Sequence, residues 1–198
     1  MSKSVRQTIL ESQRKKRKSQ NLFKIIGLSL SLLVIVFVFI TALNSKKLGE
    51  LMGENVVVAS AAHVPETVKP GPYNSNPPAG GAHYEVSYPA KFFQEADLVT
   101  LSKYPEGHLV HSLEHGYVIF WYNCQIAGTD CAALKQTIQD VMDKTGKDKL
   151  IAFPWSSMDV PLAMTSWGRL LNFTTPDPVL MEEFVKNNRY QAPEPDAQ

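Results

Sequence analysis

The sequence predicts an α+β fold: a small mixed sheet with about two packed helices, preceded by one N-terminal transmembrane helix and a stalk. Three observations carry this. Tyr117–Tyr122 (YVIFWY) is aromatic and β-branched throughout, Cys131–Thr145 repeats its apolar residues at helical spacing, and residues 25–43 hold no charge at all.

Along the chain, residues 1–24 form a basic tail in which Lys3, Arg6, Arg14, Lys15, Lys16, Arg17, Lys18 and Lys24 stand against Glu11 alone. The overall charge of +1 therefore averages a tail of +7 with a remainder of −6. A net positive charge confined to a tail, with an acidic remainder, excludes a basic nucleic-acid-binding domain. Ile25–Leu43 (IIGLSLSLLVIVFVFITAL) follows, and its 19 residues at about 1.5 Å each nearly match the ~30 Å of bilayer hydrocarbon. Its only polar residues are Ser29, Ser31 and Thr41, so it lacks the polar stripe of a buried soluble helix. Ala59-Ser60-Ala61 lies too far beyond it for a signal-peptidase site, which predicts an uncleaved anchor. Positive charge stays inside, so the expected topology is a single pass through the membrane. The N-terminus is then cytoplasmic and everything after Leu43 extracytoplasmic.

Residues 44–64 read as a stalk, with Gly49 and Gly53 interrupting any continued helix, and residues 65–198 as the outer domain. Pro65–Pro78 is dense in Pro, Gly and Asn and reads as an ordered loop. Leu150–Phe153 and Leu162–Ser166 are shorter strand candidates beside Tyr117–Tyr122. Cys131–Thr145 has Asp130 as N-cap and Gly146 as its stop. Asp177–Asn187 is the second helix, with Asp177 as N-cap and Pro178 at the first helical position. The polar tail after Tyr190 is expected to fray.

Cys124 and Cys131 are the only cysteines, and outside the cytoplasm a disulfide between them would staple the turn from strand to helix. Their spacing is not the C-x-x-C of a redox pair.

Histidine carries the densest chemical signal. His108, His111 and His115 fall within GHLVHSLEHG, and His83 follows Gly80-Gly81. Because Gly107 and Gly116 bracket the stretch, it is expected to be extended, with His111 and His115 on one face, His108 on the other, and His63 and His108 solvated. Joined by His83, the pair would make a nitrogen site for Zn or Cu, and Met158 or Met164 would add thioether ligands to Cu(I). Glu114 would orient an imidazole from behind. Residues 111–115 also spell the H-x-x-E-H inverted zinc-protease pattern, a minor hydrolase alternative that requires a helix here. The competing expectation is that the histidines are structural polar groups, with Glu114 paired to a base such as Arg169. Trp167 and Tyr84 are candidate pocket walls, and Arg169 a candidate anion clamp. Ser112 and Ser166 lack a nucleophile-elbow context, and no glycine-rich phosphate loop follows a strand, which leaves nucleotide binding without support.

Pro77-Pro78 through Gly81-Ala82-His83-Tyr84, then Leu109–Gly116, then Leu162–Arg169, together resemble the bacterial family of unknown function DUF3105 over roughly residues 65–194. The resemblance implies a single-pass membrane protein with its domain outside the cytoplasm and names no reaction. In that family the loop before the first histidine carries Ser or Thr where this chain has Ala79 and Gly80. The sequence thus favours a membrane-tethered metal-binding domain over an enzyme. An envelope scaffold that binds a protein partner is the alternative.

Overall fold

The computed structural model describes residues 50–197. The basic tail and Ile25–Leu43 lie outside them. Among the described residues no helix is long and apolar enough to cross a membrane.

A six-stranded mixed sheet organises this region, with strands β1 (Glu54–Asn55), β2 (Lys91–Phe92), β3 (Val118–Tyr122), β4 (Leu150–Pro154), β5 (Leu162–Ser166) and β6 (Arg169–Phe173). Their order across the sheet is β1-β6-β5-β3-β4-β2. β2, β4 and β3 run parallel, while β5, β6 and β1 complete the sheet antiparallel. Three helices pack on it: α1 (Pro105–Glu114), α2 (Cys131–Thr145) and α3 (Pro178–Asn188), with a 3-10 turn at Glu95–Thr100.

The central strands are apolar on both faces because both faces are covered. In β3, Val118, Phe120 and Tyr122 join the core under α2 and α3, while Ile119 and Trp121 join a second core under α1. β4 repeats the alternation, with Leu150 and Ala152 on one side and Ile151 and Phe153 on the other. α2 contributes Leu134, Ile138, Val141 and Met142, and α3 contributes Met181, Phe184 and Val185. Full burial of each such side chain stabilises the fold by roughly 1.5–3 kcal/mol. The parallel β3–β4 pair requires a crossover, and α2 supplies it. Its N-cap Asp130 accepts from the Ala133 N–H, and the Cys124–Cys131 disulfide ties the end of β3 to its first residue. Asp177 likewise caps α3, accepting from Val179 and Leu180.

Three expectations are corrected here. The histidine segment is helical, not extended. Pro105 starts α1 two residues before Gly107, and Gly107 sits inside the helix because the Tyr84 ring fills the space where a Cβ would go, 2.5 Å away. Gly116 is the stop: at φ 82° it lets its own N–H reach the Leu113 carbonyl and the Tyr117 N–H reach Ser112, a Schellman closure. Second, the segment read as a stalk is part of the domain from residue 50. Met52 exchanges backbone bonds with the Asn188 amide, Glu54–Asn55 pair with β6, and the Val64 N–H bonds His83. Third, the C-terminal tail is bound. The Glu194 N–H reaches the Glu114 carbonyl at 3.0 Å, and Lys149 Nζ donates to the carbonyls of His115, Pro195 and Ala197. A cation at the carbonyl end of α1 satisfies groups that the helix leaves open.

Candidate metal centre

Three short segments meet at the C-terminal end of α1. Helical spacing places His111 and Glu114 one turn apart on the same face. A loop delivers His83, whose backbone is locked to the segment before residue 65: the Val64 N–H donates to the His83 carbonyl at 2.7 Å, and the His83 N–H to Ala62 at 3.1 Å. That two-bond bridge brings His63 beside His83.

The rings of His63, His83 and His111 form a near-equilateral triangle, with centroids 4.7, 5.1 and 5.1 Å apart. Their nitrogens gather about one oxygen. Glu114 Oε2 lies 2.9 Å from His83 Nε2, 3.6 Å from His63 Nε2 and 3.9 Å from His111 Nδ1. One ligand atom from each of the four residues lies within 4.8 Å of every other. Donors around a tetrahedral ion with ~2.1 Å bonds are about 3.4 Å apart, so side-chain shifts of about 1 Å suffice to close the set. His83 is fully buried, His111 and Glu114 nearly so, and His63 alone is open to solvent, its side chain 42% exposed.

Electrostatics favours a cation at this point. His83 Nδ1 donates to the Gly81 carbonyl at 2.7 Å, which leaves Nε2 facing a carboxylate oxygen. Two lone pairs at 2.9 Å repel, so a proton or a metal ion must lie between them. Gly81 holds its carbonyl there at φ 147°, and its Cβ position is occupied by the Tyr73 ring, so no other residue fits. His111 Nδ1 is buried and makes no hydrogen bond. Burial, then the neighbouring imidazoles of His115, His83 and His63, push the His111 pKa down from 6.5 to about 4. The ring is thus neutral at ordinary pH, with a lone pair to give.

Other residues singled out in the sequence have different surroundings. His115 packs at a tilt against His111, with centroids 4.3 Å apart, but its Nε2 faces Glu194 at 3.7 Å and lies outside the four-donor group. His108 is buried, not solvated: Nδ1 donates to Val86 at 2.6 Å and the ring stacks on Tyr88. Met164 faces the core under α2 and α3, across the sheet from the histidines, and Met158 packs in the α1 core. Among the described residues the ion-pair partners of Glu114 are imidazoles, whereas Arg169 reaches the Gly53 carbonyl at 3.5 Å. Glu114 therefore stands among the donors rather than behind them. Trp167 stands edge-on to His83, with centroids 6.0 Å apart. Tyr84 points away, its hydroxyl on Val68 and its ring under Gly107, and so positions α1. Ser112 is consumed in bonds to the Tyr88 backbone and the His108 carbonyl. His111 to Glu114 of the H-x-x-E-H pattern do lie on a helix with His115 as its C-cap, yet with Glu114 in the cluster and His115 out of it, the inverted zinc-protease roles are not reproduced.

His63 escaped the sequence reading. It joins His83 through a two-bond bridge between loops about twenty residues apart, which has no periodicity. Its one local signal is an extended segment ending at Pro65.

Fold and site define an α+β domain with a His-His-His-Glu donor group at a helix end, buried but for His63. The chain belongs to the family described as protein of unknown function (DUF3105), whose model matches residues 63–198 and so includes all four donors. No curated protein and no solved structure matches it.

Proposed function

We propose that this chain is a membrane-anchored, extracytoplasmic domain that binds one Zn2+ or Cu2+ ion through His63, His83, His111 and Glu114. The observation that carries the reading is the convergence of three imidazole nitrogens on one carboxylate oxygen, with His111 Nδ1 buried and without a hydrogen bond. Three imidazoles and a carboxylate suit Zn2+ or Cu2+, and the distance of Met164 from the group disfavours Cu(I). The uncharged run Ile25–Leu43 and the basic tail support the inner-membrane anchor, and the Cys124–Cys131 bond fits an oxidising compartment. A second reading, an envelope scaffold with structural histidines, draws on the direct His83–Glu114 hydrogen bond.

Elemental analysis of the full-length chain in detergent, after loading with each ion and dialysis, separates the two. One ion per chain is expected, lost in His83→Ala and His111→Ala and kept in His115→Ala, with circular dichroism confirming that each variant folds. A folded, metal-free wild type would favour the scaffold.

A further inference from the structure

The four donors differ in one respect that sets how an ion would come and go. His83, His111 and Glu114 are sealed, whereas His63 stands on the surface, in a segment without a regular strand of its own. Beside it runs a groove of about 370 Å3 lined by His63, Val64, Pro65, Glu66, Glu85 and Val86. Its walls are the two extended segments that the Val64–His83 and His83–Ala62 bonds tie together. Glu66 and Glu85 are both exposed, and no lysine or arginine is among the lining residues. The groove ends on the one donor of the four that is exposed to solvent. On the inner side, the buried His111 Nδ1 waits without a hydrogen bond.

We propose that the centre is an exchange site loaded from one side: a hydrated divalent cation enters along the Glu66–Glu85 groove, and His63 is the ligand that closes behind it and opens to release it. This rests on the metal-binding reading and adds a route and an order to it. Carboxylates flanking a narrow entrance raise the local concentration of a cation and its association rate, and salt screens the effect. They need not touch the bound ion. His63, held to the domain by backbone bonds on either side of it, keeps its place while its side chain rotates away. A structural metal would instead be enclosed by all its ligands, with no acidic approach.

Stopped-flow mixing of the full-length chain with Co2+ or Zn2+ reads both predictions. Glu66→Gln combined with Glu85→Gln should lower the association rate about three- to tenfold at low salt, with the gap closing at high salt. Asp140→Asn combined with Asp143→Asn, on the exposed face of α2, should leave it unchanged. Chelator-driven release from His63→Ala should be at least tenfold faster than from wild type, while the variant still binds. Equal association rates for the groove variant and wild type, or release unaffected by His63→Ala, overturn the proposal. Absence of stoichiometric binding by wild type overturns instead the metal-binding reading on which it rests.

Discussion

His83 Nε2 lies 2.9 Å from Glu114 Oε2, while the same ring gives its Nδ1 proton to the Gly81 carbonyl. An imidazole with acceptors on both sides carries a proton where a metal ion would sit. Metal uptake should therefore expel about one proton per ion. Titration calorimetry in buffers of different ionisation enthalpy checks this. An observed enthalpy that does not change with buffer speaks against a bridging proton.

The neighbours His111 and His115 should respond differently to truncation. His111→Ala removes a donor and should weaken metal binding by a hundredfold or more, on the order of 3 kcal/mol. His115→Ala, whose Nε2 faces Glu194, should change it by no more than a few fold. Competition with a chromophoric chelator measures both. Equal losses would return His115 to the ligand set.

The metal-free protein should lose stability in mild acid. The folded His111 pKa of about 4 lies below its ordinary 6.5, so between those values the unfolded chain binds a proton that the folded one does not. The contribution is whole above pH 6.5 and is lost as the pH falls toward 4, to a maximum of about 3 kcal/mol. Urea midpoints in chelator from pH 7 to 4.5 should fall in the wild type and fall less in His111→Gln. Parallel curves would dissociate the acid sensitivity from His111.

Gly107→Ala should destabilise the domain although alanine is the better helix former by about 1 kcal/mol. Its Cβ would meet the Tyr84 ring at 2.5 Å, and Tyr84 is fully buried. A net loss of about 1–3 kcal/mol is expected by urea denaturation. Gly107→Ala combined with Tyr84→Leu should recover part of it, and a stabilised single variant would show that the ring yields freely.

Breaking the disulfide should cost about 2–3 kcal/mol, since Cys124 and Cys131 close a short loop. Cys124→Ser with Cys131→Ser should lower the thermal midpoint without changing metal stoichiometry, because the bond lies at the β3–α2 corner.

The elements legible in the sequence were those whose periodicity matches their burial. Cys131–Thr145 shows α2 because one face alone is apolar, and Leu162–Ser166 shows β5 because it opens on an apolar run buried on both faces. α1 hid for the opposite reason. All of its residues after Pro105 are buried, polar ones included, so no stripe survives, and Gly107 imitates a breaker while serving as a notch for Tyr84. β1 and β2 are two residues each and exist only through their partners β6 and β4. In the site, His111 and Glu114 stood out by clustering in sequence and His83 by the glycine pair before it, whereas His63 enters only through long-range backbone pairing. Reading α1 as extended also left Glu114 behind the donors, whereas the helix sets it one turn from His111 and among them.

The most direct test is anomalous diffraction from crystals of the protein soaked with Zn2+. The account predicts one strong peak bounded by His63, His83, His111 and Glu114, at about 2.0–2.2 Å from their donor atoms. A cluster without a peak, or a peak held instead by His115 and Glu194, would contradict it.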